Sequence, residues 1–115
     1  MDKLLEKQGG MQTEVNDSGE MVFYISGELD HHSVKDIREE IDCELIDSRP
    51  KKVVLDLEGV TFTDSAGLGL ILGRYTRIKE YGGNVRLTGV SDEFMKILRL
   101  AGTERLIRIE SKSKK

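Results

Sequence analysis

The sequence predicts a single α/β domain built on a mixed sheet of about five strands, with an N-terminal hairpin followed by alternating helices and strands. Its 115 residues match the usual size of one domain, which is about 100–150 residues. Two apolar runs of β type lie on either side of a cluster of turn-forming residues near the N-terminus, as in a hairpin. Segments with apolar residues at helical spacing then alternate with short apolar runs, which is the pattern of helices and strands that share a sheet.

The hairpin is predicted from the runs Met11–Val15 and Met21–Ile25, which Asn16–Gly19 joins. Asn, Asp and Ser favour turns because their side chains bond the nearby backbone, and glycine accepts positive φ. Residues 1–10 show no periodicity and end in two glycines, so we expect them to form a flexible lead-in. The domain proper is then expected over 11–110, and 111–115 forms a short basic tail.

The rest of the chain is predicted to alternate between helix and strand. We expect helices at 32–47, 65–81 and 91–100, and strands at 52–57, 85–88 and 105–109. Asp30 or Ser33 is suited to cap the first helix, and Pro50 prevents its continuation. The apolar run at 52–57 is typical of a central strand covered on both faces.

The second helix contains three glycines, Gly67, Gly69 and Gly73. Each costs about 1 kcal/mol relative to alanine in a helix interior. A close approach of the helix backbone to the sheet or to a partner is the compensation that we expect.

Composition and charge exclude several classes of protein. A single cysteine excludes an internal disulfide framework and a cysteine-based zinc site, and it fits a reducing, cytoplasmic location. No apolar run approaches the ~20 residues that cross a bilayer, so we expect no membrane association. Residues 1–59 carry a net charge of −8 and residues 60–115 a net charge of +5. Basic residues interleaved with aromatic ones would indicate nucleic-acid binding, but only three Tyr and three Phe are present and they are scattered, so we expect no nucleic-acid partner.

Three kinds of active or binding site have weak support. The pair His31-His32 has no second cluster of ligands, which argues against a metal site. The glycines of the second helix lack the Gly-Lys-Ser/Thr ending of a phosphate-binding loop. Ser65 follows a strand as a hydrolase nucleophile does, but Thr63 stands where that motif needs glycine. We therefore expect a protein that is not an enzyme and carries no cofactor or metal.

Ser65 is instead suited to carry a phosphoryl group. It lies at the first turn of the second helix, where Asp64 can act as the cap and leave the serine hydroxyl free. The positive end of the helix favours an anion there, so phosphorylation need not unfold the chain. It would add about −1.5 to −2 units of charge to a surface that a partner could contact.

The segment Asp64-Ser65-Ala66-Gly67-Leu68-Gly69 resembles the phosphorylation-site motif of STAS domains (sulfate transporter and anti-sigma-factor antagonist). Gly27-Glu28-Leu29-Asp30-His31-His32 and Ile71-Leu72-Gly73-Arg74-Tyr75 are similar to segments of the STAS proteins that act as anti-sigma-factor antagonists in sporulation. The resemblance spans about residues 11–109. Ala66 is a mild departure, because close relatives can carry a second serine there.

The resemblance implies a STAS fold, with helices mainly on one side of the sheet, and a partner switch. In such a switch the unphosphorylated antagonist binds an anti-sigma factor that is also a serine kinase, with ADP or ATP bound to the kinase, and the sigma factor is released. The kinase phosphorylates the antagonist, here at Ser65, and a PP2C-type phosphatase restores it. The free antagonist is expected to be a monomer. The resemblance places the docking surface around Ser65, at Asp30, His31, Thr63, Asp64, Ala66, Gly67, Leu68 and Arg74. Two of these residues have an alternative: Arg74 could be a solvated charge on the helix, and Leu68 could belong to the core.

Two other functions remain open within the same resemblance. The domain could be a scaffold or signalling module with another partner, as in stressosome-type assemblies. It could also be a nucleotide-binding STAS domain, although nothing in this sequence favours that function.

Overall fold

The computed structural model describes residues 9–112, which fold as a five-stranded sheet with three helices. The elements, in chain order, are β1 (Gly9–Val15), β2 (Met21–Leu29), α1 (Ser33–Ser48), β3 (Lys52–Thr63), α2 (Ser65–Glu80), β4 (Asn84–Val90), α3 (Asp92–Leu100), a 3₁₀ turn (Thr103–Arg105) and β5 (Arg108–Ser111). None of the helices within 9–112 is long and apolar enough to cross a membrane.

The strands lie in the order β1-β2-β3-β4-β5. β1 and β2 form the predicted antiparallel hairpin, and every other neighbouring pair is parallel. The sheet is therefore mixed, as the sequence predicted. Because β2 and β3 run in parallel, Leu29 lies opposite Thr63, and the loops that follow both strands meet at one edge of the sheet.

One face of the sheet carries the hydrophobic core and the helices. Alternate residues of β3, Val53, Leu55 and Leu57, point into this core. Each helix adds its own buried residues to the same cluster: Ile37, Ile41 and Leu45 from α1, Leu70, Ile71 and Ile78 from α2, and Phe94 and Leu98 from α3. The fold thus has two layers, and the helices pack on one side of the sheet.

The prediction that β3 is covered on both faces is wrong. Val54 is buried on the face without helices, but its neighbours in the flanking strands are Val22 and Arg86 rather than a second layer. Asp56 follows on the same face and is half-buried. Side chains of the neighbouring strands bury Val54, so β3 carries an apolar residue on each face although helices cover only one of them.

The face without helices is polar and internally paired. Arg86 donates two hydrogen bonds of 3.1 Å to the carboxylate of Glu20 and one of 2.9 Å to Glu110. The Thr88 hydroxyl donates to Asp56 at 3.0 Å. The hydrogen bonds from Arg86 hold the pKa of Glu20 below its ordinary value. These contacts connect β4 to the start of β2 and to β5 across a solvent-exposed surface.

Several predicted boundaries need correction. Gly9 and Gly10 pair with Gly27 and Ser26, so both glycines belong to the sheet and not to a flexible lead-in. Residues 1–8 and 113–115 lie outside the described residues. The tail also begins later than predicted, because Ser111 lies in β5.

Helix and strand ends also differ. α1 begins at Ser33, one residue late, because the Asp30 side chain binds the loop ahead of it. Arg105 lies in the 3₁₀ turn, so the last strand starts at Arg108. The largest difference is in β3, which continues to Thr63, well past the predicted end at Leu57.

Candidate functional site

Ser65 is the first residue of α2 and is exposed. Asp64 acts as the N-cap, because its Oδ1 accepts a 2.8 Å hydrogen bond from the Ala66 amide. The amide of Gly67 donates to the Asp64 carbonyl at 3.0 Å. The Ser65 hydroxyl makes no hydrogen bond with any residue of the described part of the chain. Its predicted position, uncovered at the positive end of a helix, is confirmed.

Gly67 holds the start of α2 against the end of β3. A Cβ atom at this position would lie 2.0 Å from Thr63 Oγ1 and 3.6 Å from a methyl carbon of Leu29. Any side chain here would force the Thr63 side chain or the start of α2 to move, so glycine lets the helix pack directly on the strand that precedes it. Gly67 is itself buried, and any contact with a partner would be made through its surroundings.

Gly69 and Gly73 have a different environment from Gly67. A Cβ atom added at either position would meet no atom of residues 9–112 within 4 Å. Both lie on the outward stripe of α2 that begins at Ser65, because residues four apart share a helix face. Packing within the described residues therefore accounts only for the first of the three glycines, and the other two are compatible with close approach by another molecule.

The loop after β2 forms the other half of the site. Asp30 Oδ1 accepts 3.0 Å hydrogen bonds from the amides of His32 and Ser33. The Ser33 amide, followed by the His32 amide and the Ser33 hydroxyl, holds the pKa of Asp30 below its ordinary value. His31 and His32 are exposed, with ring centroids 4.3 Å apart. This network fixes the backbone of the loop beside the start of α2.

The remaining predicted contacts are only partly accessible. Four of them are half-buried: Thr63, Asp64, Ala66 and Leu68. Leu68 also packs against the core cluster. Within residues 9–112 no group of three or more His, Cys, Asp or Glu side chains is placed to hold a metal ion. The site is thus a surface of small, polar and partly apolar groups around one free hydroxyl.

Arg74 does not lie on this surface, and its predicted docking role is corrected. It is 6% exposed and its Nε lies 3.0 Å from Asp42 Oδ1 on α1. Burial lowers the pKa of the Arg74 guanidinium, Asp42 opposes that shift, and Arg77 and Arg38 reinforce it. Arg74 is therefore neither a solvated charge nor accessible to a partner, and it connects α2 to α1.

Sequence analysis missed Phe62, which is 52% exposed and pairs with Glu28 at the end of β3. Two register shifts occur between β2 and β3, after Tyr24 and after Gly27. Each shift changes which face successive residues occupy. The alternation of apolar residues could not show that Phe62 points outward beside the site.

The fold has a mixed sheet covered by helices on one side, and a capped, solvent-exposed serine lies at a strand-to-helix turn. The sequence motif predicted this arrangement. The chain belongs to the STAS domain family, whose model matches residues 10–115. It is 34% identical to the anti-sigma F factor antagonist of Paenibacillus polymyxa over 91 aligned residues. The alignment covers 79% of this chain and 78% of that protein.

Solved structures give the same result. The anti-sigma factor antagonist SpoIIAA in its unphosphorylated form matches with a TM-score of 0.74 and 28% identity, over 87% of each chain. The Bacillus cell fate determinant SpoIIAA in its phosphorylated form matches with a TM-score of 0.69 and 28% identity, over 87% of this chain and 90% of that one. A similar protein thus exists with and without phosphate.

Proposed function

We propose that this protein is an anti-sigma-factor antagonist that phosphorylation of Ser65 switches off. The unphosphorylated form binds an anti-sigma factor that is also a serine kinase, and the bound sigma factor is released. A PP2C-type phosphatase restores the binding form. The Ser65 hydroxyl is exposed at the start of α2 and has no hydrogen-bond partner among the described residues, and this is the observation that supports the proposal best. Support also comes from the names of relatives, which are anti-sigma-factor antagonists.

The phosphorylation step needs only the serine and the kinase. Ser65 Oγ attacks the γ-phosphorus of ATP bound to the kinase, and the new O–P bond forms as the bond to ADP breaks. The hydroxyl proton passes to a base of the kinase. The phosphatase reverses the modification with water, which yields the serine and inorganic phosphate. In this scheme the antagonist is a substrate and a binding module rather than a catalyst.

The fold tolerates the phosphate because two local effects oppose each other. The helix terminus stabilises a negative charge by about 0.3–1 kcal/mol at an exposed site. The Asp64 carboxylate, one residue away, repels it, and solvent screens that repulsion. Since Ser65 contributes nothing to the core, we expect the free energy of unfolding to change little.

The bound partner is affected more strongly. A phosphate with about −1.5 to −2 units of charge must lose its water wherever the partner covers it, and such desolvation is expensive without a matching cation. The kinase that has just donated the phosphoryl group still holds the phosphates of ADP, which repel it further. The product is therefore expected to dissociate.

We propose a docking surface around Ser65. It comprises Asp30, His31, Thr63, Asp64, Ala66 and Leu68, with Phe62 and the outward stripe at Gly69 and Gly73 added, and Gly67 holding the helix in place beneath them. The two outward glycines supply a test that is separate from phosphorylation. Gly69→Ala is expected to weaken binding of the anti-sigma factor while leaving the fold at least as stable, because the added methyl group meets no described residue within 4 Å. Unchanged affinity in calorimetry would remove Gly69 from the surface.

The main experiment mixes the protein with the anti-sigma kinase of the same organism and ATP, and locates phosphate by mass spectrometry. We expect one phosphate, on Ser65. Ser48→Ala, at an exposed serine at the end of α1, is the matched control and should be phosphorylated normally. Phosphate elsewhere, or none on Ser65, would contradict the proposal.

A binding series tests the electrostatic account. Ser65→Ala is expected to bind the kinase–ADP complex and to resist inactivation, whereas Ser65→Asp is expected to bind weakly. Isothermal titration calorimetry measures both affinities. Equal affinities would show that charge at this position does not control docking.

A further inference from the structure

The first backbone amides of α2 already have hydrogen-bond partners, although Ser65 itself is exposed. Asp64 Oδ1 accepts from the Ala66 amide at 2.8 Å, and the Asp64 carbonyl accepts from the Gly67 amide at 3.0 Å. The Thr63 hydroxyl donates to the same carbonyl at 3.3 Å, and Gly67 lies directly against Thr63, so little room remains for this turn to rearrange. A phosphate on Ser65 would therefore meet amides that Asp64 already occupies.

The start of α1, which lies at the same edge of the sheet, is occupied in the same way. Asp30 Oδ1 accepts 3.0 Å hydrogen bonds from the amides of His32 and Ser33. This loop is beside the start of α2, because Leu29 at the end of β2 lies opposite Thr63 at the end of β3. Both helices that begin beside the serine thus have an aspartate on their first amides, and neither offers these amides to a phosphate.

Lysine and arginine are absent from the parts of the chain around Ser65. Residues 21–34 and 53–73 contain neither, and they cover β2 with its following loop, most of β3 and the first half of α2. Among the basic residues that border these ranges, Lys52 lies at the opposite end of β3 and Arg74 is buried. The remaining one is Lys35, which is exposed in the first turn of α1.

The other charged or titratable groups at this edge of the sheet are acidic residues and histidines, with one distant lysine. The acidic residues and histidines lie at the end of β2, in the loop that follows it and in the first turn of α3: Glu28, His31, His32, Asp92 and Glu93. Lys112 follows β5, which is two strands from β3 and so about 10 Å away. Salt at 0.1 M screens charges over about that distance. A phosphate on Ser65 therefore has no fixed cationic partner among the described residues.

We propose that Asp64 is a positioning residue of the switch, because its carboxylate occupies the Ala66 amide and keeps a phosphate on Ser65 directed outward. This inference rests on the proposed phosphorylation of Ser65. A phosphate that folded back onto the helix amides would have part of its charge neutralised within the chain. Directed outward, it stays hydrated, so a bound partner must desolvate it and a phosphatase can reach it. Asp64 thus makes the charge added at Ser65 more effective against binding.

Two variants separate the hydrogen bond of Asp64 from its charge. Asp64→Asn removes the charge and keeps a side-chain oxygen that can accept from the Ala66 amide, whereas Asp64→Ala removes both. Phosphoserine is inserted at position 65 during translation with a suppressor tRNA, so the test does not depend on the anti-sigma kinase. Circular dichroism confirms that each variant is folded, and Asp64→Asn keeps the cap if Asp64→Ala does not fold.

The second pKa of the phosphate is the first measurement, by phosphorus NMR. In the otherwise unchanged protein we expect it at or above its ordinary value of about 6. Asp64→Ala should lower it by at least about 0.3, because the freed amide stabilises the dianion. Asp64→Asn should lie between the two. Lys35→Ala and His31→Gln/His32→Gln are controls that should move this pKa by less than about 0.1.

The Ala66 amide signal locates the phosphate directly. In Asp64→Ala its proton shift should follow the titration of the phosphate, because the phosphate replaces the missing carboxylate on that amide. In the unchanged protein and in Asp64→Asn the same signal should not follow the phosphate, since the amide is already bound.

Binding of the anti-sigma factor with ADP gives the functional consequence. The measured quantity is the ratio of affinities before and after phosphorylation, which cancels any direct contact that Asp64 itself makes in both states. In Asp64→Ala this ratio should be at least about twofold smaller than in the unchanged protein, which is the equivalent of the shift in the phosphate pKa. Failure of the unphosphorylated protein to bind would count against the proposed function, while the two NMR measurements would still decide the role of Asp64.

Three NMR results would overturn the proposal. One is an Ala66 amide that follows the phosphate in the unchanged protein, since the phosphate would then displace Asp64. Another is the same phosphate pKa in the unchanged protein and in Asp64→Ala. A phosphate pKa that rises in Lys35→Ala or in the histidine variant would show that a cation, and not Asp64, sets the position of the phosphate.

Discussion

Gly67 provides the sharpest test of how the site is built. In Gly67→Ala the new Cβ would lie 2.0 Å from Thr63 Oγ1, whereas ordinary contacts begin at 3.4 Å, so the start of α2 or the Thr63 side chain must move. Overpacking of this kind costs about 1–3 kcal/mol. Alanine recovers at most about 1 kcal/mol of helix propensity. We therefore expect Gly67→Ala to lower the free energy of unfolding by up to about 2 kcal/mol, and to be about 1–3 kcal/mol less stable than a variant that gains the same propensity without the clash.

Gly69→Ala is the matched control for this prediction. It makes the same chemical change two residues later, where the added methyl group meets no atom within 4 Å in the part of the chain that the structure describes. Only the gain in helix propensity remains, so this variant is expected to be more stable than the natural chain by up to about 1 kcal/mol. The free energy of unfolding is measured by urea denaturation followed by circular dichroism.

Two changes at Thr63 show whether the clash is the cause. Thr63→Ala removes Oγ1 and leaves a Cβ contact of 3.3 Å, so Gly67→Ala should cost little in that background. Thr63→Val keeps a methyl group where Oγ1 lies and should leave the cost intact. The coupling energy between Gly67→Ala and Thr63→Ala is expected to be about 1–2 kcal/mol. The reasoning fails if Gly67→Ala is as stable as Gly69→Ala, or if Thr63→Ala brings no relief.

Three further predictions concern polar groups outside the site. Arg74→Met breaks the pair with Asp42 and is expected to lower the free energy of unfolding by about 1–3 kcal/mol. Because Arg74 lies below the surface, affinity for the anti-sigma factor should not change. Weaker binding of the folded variant in calorimetry would contradict this. Glu20 has a pKa below its ordinary value of 4.5, so the stability it contributes is complete above that pH and is lost as the pH falls through the lowered value. Acid unfolding monitored by circular dichroism should therefore be less steep in Glu20→Gln, and an unchanged profile would exclude the Arg86 contact as a source of stability. The hydroxyl of Tyr81 is buried without a hydrogen-bond partner among the described residues. Tyr81→Phe should therefore be neutral or stabilising by up to about 1 kcal/mol in thermal unfolding. A clear loss of stability would show that the hydroxyl makes a hydrogen bond.

The start of α2 could be predicted from sequence because its determinants are local. Asp64 caps the helix through an amide only two residues away, and Ser65 follows it directly in the chain. The hairpin is equally local, since Asn16–Gly19 connects two runs that pair with each other. Short-range hydrogen bonding and backbone preference decide such features, so the residues concerned are visible in one stretch of sequence.

Arg74 shows where sequence reasoning ended. In the sequence of α2 it is indistinguishable from a basic residue of a solvated helix, but in the fold it is buried and its Nε lies 3.0 Å from Asp42 Oδ1 of α1. The outward position of Phe62 depends in the same way on irregular pairing between β2 and β3. The local sequence predicts neither which helices pack together nor where a register shift occurs.

The sequence by itself determined the α/β class, the mixed sheet, the family and the serine displayed at the positive end of a helix. Tertiary structure decided at which of the glycines a larger side chain would clash and which predicted contacts a partner can reach. The physical reason is the range of the interactions. Caps, turns and periodic patterns act over a few residues, whereas burial and ion pairing depend on atoms that the folded chain brings together from distant positions.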